Sequence, residues 1–563
     1  IGSLRFAPPR DLECSDDAVI DATAPADVCM QPSSPGMGVP FSMLNLAYFY
    51  LPAFVLPLLF CIFGLLAAHA AWTFDNTQYS SDLANSPSTA RWAACASPCV
   101  RCCGSTALLF ALWMLTLPGW VWTKAVGVED CLTLSVYSPA TTTAEPLAVM
   151  VWIHGGAFIT GSARLDDLQY GSSLEMPASG VVHVAVEYRL GILGFLALND
   201  GETVPNAGLL DQISALRWVK RHIASFGGDP DRILVYGHSA GGESVMALQH
   251  MPAARGLFHA AAAMSPVAKL GMPHAEAATF WREAVRPTGC ADRACLLGVS
   301  AAALVALNPV IAGDFGTIPD PSIPVVPSVD YVVADSSLKD EWALNGGFAV
   351  DVPLLVVLCS EQGAFAAVQA NYEPYGRTAP AWPLTPSSFG AWGEAAGMEA
   401  EDARAAYRLY ASVEDDEQRW YQIGNDVTLF CGVRASVTAE AKARTKPVYL
   451  SLVTTAVAYT GTWGDIKYAA EGIDVYLTWG LTAARTIMGL ADLPKEAKAV
   501  GDSMRASLVS LARKGALGDE WQPHPAVCEI GEPSVACSTE NRHAQACGYF
   551  DKAIGRKYDL ALG

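Results

Sequence analysis

Gly237, His238, Ser239, Ala240 and Gly241 spell G-x-S-x-G directly after the apolar run Ile233 to Tyr236 and before a helix-compatible stretch. A serine on a sharp strand-to-helix turn is held in strained backbone geometry that only small neighbours tolerate. Its hydroxyl is thereby presented to substrate as a nucleophile. Ser239 is therefore the candidate nucleophile. A second cluster, His154, Gly155, Gly156, Ala157 and Phe158, follows the run Leu147 to Ile153 as a variant of the H-G-G-G loop. Glycines there let backbone N–H groups converge on the negative oxygen of a tetrahedral adduct. Gly156 and Ala157 are the expected donors, with Ala240 as the third. His154 reads as a structural side chain bracing this loop rather than as a base.

Groups of this kind must be aimed by a rigid scaffold. Short apolar runs at Leu147 to Ile153, Val181 to Val186, Ile233 to Tyr236, Pro353 to Leu358 and Val448 to Leu452 read as buried strands. Amphipathic stretches alternate with them. Leu209, Ile213, Leu216, Val219 and Ile223 recur at helical spacing and mark one apolar face. Gly227 and Gly228 stop that helix, and Asp229 with Pro230 is expected to turn the chain into the next strand. The pattern predicts an α/β fold with a central, mostly parallel sheet flanked by helices.

Further segments carry a resemblance. Glu129, Asp130, Cys131 and Leu132 with Val136 and Tyr137, the run EYRLGILGF from Glu187 to Phe195, and G-L-L-D-Q, A-L-R-W-V and F-G-G-D-P between Asn206 and Pro230 keep a fixed order. With IGSLRFAPP at Ile1 to Pro9, they resemble the type-B carboxylesterases, the family that includes the cholinesterases. The resemblance implies an α/β-hydrolase fold and hydrolysis of carboxylic esters through an acyl-enzyme on Ser239, with no cofactor or metal. It implies disulfides joining Cys29 to Cys131 and Cys290 to Cys295, and hence an exported domain. The remaining cysteines are expected to be buried free thiols. Because the chain begins inside the G-x-L-R-F motif, the resemblance also implies an N-terminally truncated fragment.

The acid and the base depart from the family pattern. After the strand ending at Leu358 the chain reads Cys359, Ser360, Glu361, Gln362, Gly363, Ala364, Phe365. Counting from Phe365 places the family acid at Glu361, and counting from Gly363 places it at Gln362. Glu361 is favoured, since a one-residue slip after a strand costs less than losing the carboxylate. There is no histidine between His274 and His524. EGIDVYLTWG at Glu471 to Gly480 resembles the family's histidine segment, with Glu471 at the histidine position and Asp474 at that of a second acidic residue. A carboxylate is a weaker base than imidazole by about two pKa units. Impaired activity follows, and a swapped dyad with Glu471 oriented by Gln362 is the electrically coherent variant. His524 reads as a surface residue. His238 stands where the family has glutamate, which removes support for a choline ester and leaves a general small-molecule ester. The competing reading is a catalytically silent, cholinesterase-like binding or adhesion domain.

Composition bounds the partners. With 36 basic and 56 acidic side chains the net charge is −20, so phosphate backbones repel the chain and nucleic acid is not an expected partner. A hydrophobic content of 52% excludes a disordered chain. Residues 46–74 and 106–122 lack any Asp, Glu, Lys or Arg, and about 20 apolar residues can span a bilayer. Both runs lie in an expected insertion, 35–127, between a short hydrolase segment, 1–34, and the main hydrolase body, 128–563. Because both flanks belong to one globular domain, the insertion crosses a membrane twice or not at all. The hairpin reading puts the hydrolase outside the cytoplasm, membrane-associated or secreted. The competing reading is a translated intron.

Overall fold

A computed structural model describes residues 5–9, 29–32, 125–139, 145–163, 175–266, 274–307, 350–361, 385–395, 399–455, 459–461, 464–466, 469, 472–479, 494–531 and 535–549. Internal contacts divide the chain into Ile1–Pro32 with Ala125–Gly563, and Ser33–Lys124. Both uncharged runs, Gln362 and Glu471 lie outside the described residues.

Nine strands form the central sheet: β3 (Leu134–Tyr137), β4 (Leu147–Ile153), β5 (Val182–Val186), β6 (Gly228–His238), β7 (Ala260–Met264), β8 (Leu354–Cys359), β9 (Val448–Val453), β12 (Val527–Ile530) and β13 (Val535–Ser538). Their order is β13-β12-β9-β8-β7-β6-β4-β5-β3. The seven inner strands run parallel, and β3 and β13 close the two edges antiparallel. Short pairs β1 (Gln31–Pro32) with β2 (Ala125–Val126), and β10 (Tyr459–Gly461) with β11 (Gly464–Ile466), lie apart from this sheet. The inner strands are continuous apolar runs because helices cover both faces of a parallel sheet. Every residue of β5, β7, β8 and β9 is buried.

Helices α1 (Ala207–His222), α2 (Ala240–His250), α3 (Asp416–Asn425), α4 (Cys431–Ala443), α5 (Ile473–Trp479) and α6 (Lys495–Lys514) supply much of that cover. The apolar stripe read along α1 is buried at Leu209, Ile213, Leu216 and Val219. Two of the family-like segments are joined here, since Arg189 donates to both carboxylate oxygens of Asp211 at 2.7 and 2.6 Å. The fourth strand differs from expectation at its start. β6 begins at Gly228, so Asp229 and Pro230 lie within the strand. Leu147 pairs with Gly228, and a register shift before Val149 absorbs the irregularity.

The segment 33–124 leaves and returns at adjacent points, because Gln31 pairs with Val126 and Pro32 with Ala125. Cys29–Cys131 closes that junction, and Arg5 donates to Glu129 at 2.6 Å beside it. Cys290–Cys295 closes a short loop. The expectation of free thiols elsewhere is corrected by two further disulfides, Cys431–Cys547 and Cys528–Cys537. The first links residues 116 apart in the chain and the second lies across directly paired strands, which no local spacing reveals. Cys359, buried at the end of β8, takes part in none of these four disulfides, and its Sγ lies 3.9 Å from Ser265 Oγ. Also among the described residues, no helix is long and apolar enough to cross a membrane.

Candidate active site

The chain order reverses across β4, which has β5 on one side and β6 on the other. In open α/β sheets the crevice at such a reversal, beyond the carboxyl ends of the strands, is where ligands bind. Ile153 of β4 pairs with Gly237 of β6. The loop opening at His154 and the turn opening at Ser239 therefore start at the same height.

Ser239 has φ 54° and ψ −123° and stands immediately before α2. Backbone in that region is costly for a residue with a side chain and persists only when the surroundings over-determine it. They do so here through close approach. A Cβ on Gly241 would lie 2.1 Å from the Ile153 carbonyl oxygen, so only glycine lets α2 start against β4. The Ser239 N–H donates to the Met264 carbonyl at 2.8 Å, tying the turn to β7. Ser239 remains partly exposed while Ala240 is buried. Among the described residues no side chain hydrogen-bonds the Ser239 hydroxyl.

The facing loop is strained in the same way. Gly156, Ala157 and Phe158 have φ 110°, 55° and 58°, and a Cβ on Gly156 would meet the Thr160 carbonyl oxygen at 2.1 Å. The Gly156 carbonyl accepts from the Ile159 and Thr160 N–H groups at 3.0 and 2.9 Å, which curls the loop. Among the described residues no acceptor engages the Gly156 or Ala157 N–H. Ala157 tolerates a left-handed conformation that favours glycine, and its methyl group does not prevent the loop from forming.

His154 is fully buried in this loop. Its ring stacks on Tyr188 at 4.4 Å, its Nδ1 lies 2.8 Å from the Gly155 carbonyl, and Tyr188 donates to the His154 carbonyl at 2.9 Å. Burial lowers its pKa from 6.5 to about 4. The ring is neutral at physiological pH and braces the loop.

The acid side is built from side chains. Glu361, 2% exposed after β8, accepts from Ser360 Oγ at 2.7 Å, from the amides of Gln418 and Gln422 on α3, and from the Ala469 N–H at 3.0 Å. The Glu361 N–H in turn donates to the Ala469 carbonyl at 3.0 Å. Glu361 thus ties the loop after β8 to the segment after β9, two residues before position 471. None of its donors comes from the turn at Ser239 or the loop at Gly156. A cavity of about 530 Å³ lies beside it, lined by Glu361, Gln422, Glu529 and Arg542 among others and by none of the nucleophile-side residues. His524, expected at the surface, is instead half-buried against α4, with Nε2 2.9 Å from Thr438 Oγ1. Its backbone N–H bonds to the Val448 carbonyl, which draws it onto the sheet.

Two polar contacts were not read from the sequence. His238, beneath Ser239, has Nε2 3.4 Å from Asp474 Oδ1 on α5. Ser265, with φ 46° just past β7, donates to Asp474 Oδ2 at 2.9 Å. The positions of His238 and Asp474 were visible in the sequence, but their pairing joins residues 236 positions apart.

A nucleophile turn at the switch point of a mostly parallel sheet, facing a glycine loop, defines an α/β-hydrolase. The carboxylesterase family model matches residues 1–527, and the chain belongs to that family. It is 43% identical over 188 residues to a human cocaine esterase, covering 32% of this chain and 33% of that protein. It is 44% identical over 190 residues to a mouse acylcarnitine hydrolase, with 32% and 33% covered. The matches thus span about a third of the length of these curated relatives. A solved PNB esterase structure shares the fold at TM-score 0.57 and 24% identity, covering 75% of this chain and 84% of that one.

Proposed function

We propose that the protein hydrolyses small-molecule carboxylic esters through an acyl-enzyme on Ser239. The observation that carries this reading is the backbone of Ser239, held at φ 54° between β6 and α2 opposite the strained loop at Gly156. Attack by Oγ on the ester carbonyl builds negative charge on the carbonyl oxygen. The N–H groups of Gly156, Ala157 and Ala240 receive it, and fixed donors need no reorganisation as the charge forms. Glu361 and Glu471, at the family's acid and histidine positions, are the proposed carboxylates, with Gln362 as the other candidate for the acid. The names of the relatives, a cocaine esterase, an acylcarnitine hydrolase and a pyrethroid hydrolase, support small esters as the substrate class. The hydrolase names of the relatives favour ester hydrolysis over a silent binding domain.

Fluorophosphonate labelling of the full chain tests this. Covalent modification that disappears in Ser239→Ala is the expected result. A folded chain that is not labelled and does not hydrolyse aryl esters sinks the reading.

The four disulfides among the described residues support an extracytoplasmic location. The membrane-hairpin reading of 35–127 is supported by the two uncharged runs and by the adjacent strand pair where the segment leaves and returns. Sequencing the transcript across that segment tests it, and absence of those codons removes it.

A further inference from the structure

Position 238, where the family resemblance implies glutamate, is histidine, and position 471, where it implies histidine, is glutamate. The two residue types have exchanged places, so positions 238, 471 and 474 still hold one imidazole and two carboxylates. The imidazole now belongs to the residue before the nucleophile. Consecutive Cα atoms are about 3.8 Å apart, so the backbone keeps residue 238 next to Ser239 whatever the ring's rotamer.

The His238 ring is buried beside a carboxylate. It is 1% exposed, and Nε2 is 3.4 Å from Asp474 Oδ1. Asp474, 0% exposed, is fixed in turn by the Val475 N–H at 3.0 Å and by Ser265 Oγ at 2.9 Å. Ser265 and Ser239 are two positive-φ serines at the ends of neighbouring strands, joined through the Ser239 N–H to the Met264 carbonyl. The other histidine near the site, His154, is committed to the glycine loop through Gly155 and Tyr188.

We propose that His238, oriented by Asp474, is the proton acceptor for Ser239. The proposal deepens the ester-hydrolase reading and rests on it. As the bond from Oγ to the ester carbonyl carbon forms, the hydroxyl proton passes to His238 Nδ1, while Nε2 faces Asp474 Oδ1 at 3.4 Å. A carboxylate placed there stabilises the imidazolium. The imidazolium returns the proton to the departing alkoxide as the ester C–O bond breaks, releasing the alcohol. Water then attacks the acyl-serine by the same proton path, releasing the acid and restoring Ser239 and His238.

The test is hydrolysis of 4-nitrophenyl butyrate together with fluorophosphonate labelling, on the full chain and on five variants. His238→Gln is expected to lower kcat by about 10²- to 10⁴-fold with KM nearly unchanged, and labelling slows in parallel. Asp474→Asn is expected to lower kcat by about 10²-fold or more. Added imidazole restores part of the turnover of His238→Ala, which a packing role does not produce. His524→Gln keeps the parent activity, and Ser239→Ala loses it. A folded His238→Gln within about threefold of the parent kcat, or a folded His238→Ala that imidazole does not rescue, overturns the role of His238. The ester-hydrolase reading survives that outcome as long as Ser239→Ala is silent. A parent chain that neither turns over nor labels overturns both.

Discussion

The two halves of the sheet's carboxyl edge make their polar sites from different material. Around β4 and β6 the candidate oxyanion donors are backbone amides, aimed by left-handed residues and by glycines with no room for a Cβ. Around β8 and β9 they are side chains, with Glu361 spread over Ser360, Gln418, Gln422 and the Ala469 N–H. Backbone geometry tolerates little substitution, whereas a side-chain site can exchange residues and keep its charge balance. The difference accounts for the motif resemblance being stronger around Ser239 and Gly156 than around Glu361 and Glu471.

Four changes would break or sharpen this contrast. The largest effect is expected on the side-chain half, where Cys431–Cys547 closes 116 residues. Replacing both cysteines with serine should cost about 5 kcal/mol of stability on a chain-entropy account, read as a lower midpoint of denaturant unfolding. A loss below about 1 kcal/mol would mean that other contacts already restrain that loop. Next, Gly156→Ala should lower kcat by about 10²- to 10³-fold, as loss of an oxyanion donor does, because its Cβ would meet the Thr160 carbonyl. Labelling rate and unfolding midpoint measured together separate misaimed donors from a misfolded loop.

Glu361→Gln should destabilise the chain by about 1–3 kcal/mol, since several donors converge on one buried carboxylate. If Glu361 only ties the two loops together, KM and kcat change less than the midpoint does, and an acid role reverses that order. The smallest effect concerns His524, whose pKa is lowered from 6.5 to about 4 by burial and by Arg434. Its folded pKa lies below the unfolded value, so the unfolded chain binds the proton more readily. Its stabilising contribution is complete above pH 6.5 and is lost as pH falls towards 4. Because the ring is partly exposed, about 1 kcal/mol or less is expected. The loss of Tm between pH 7 and pH 4.5 should shrink in His524→Gln, and an unchanged loss would refute this.

Much of the nucleophile half was legible in the residues. Val149 to Ile153 and Ile233 to Tyr236 are unbroken apolar runs because parallel strands are covered on both faces. Gly237 and Gly241 flank Ser239 at the spacing that a tight turn demands. The edge hairpin β12–β13 was not legible, since its four-residue strands are short and β13 is only half-buried, so no strong alternation marks it. Cys528–Cys537 was missed with the hairpin that pairs its cysteines, and Cys431–Cys547 because cysteine spacing does not encode a pairing 116 residues apart. Ser265 gave no signal, because a single left-handed serine after an alanine-rich strand has no composition of its own.

By itself, the order of residues determined the family resemblance, the candidate nucleophile and the mostly parallel sheet. Those depend on backbone shape, and backbone shape is written in local runs of apolar residues and glycines. Only the tertiary structure decided which groups answer one another: His238 with Asp474, Glu361 with the Ala469 N–H, Cys431 with Cys547. Such pairings join residues more than a hundred positions apart. They exist because strands brought side by side bury polar groups together, and a buried polar group must find its partner wherever the fold has placed one.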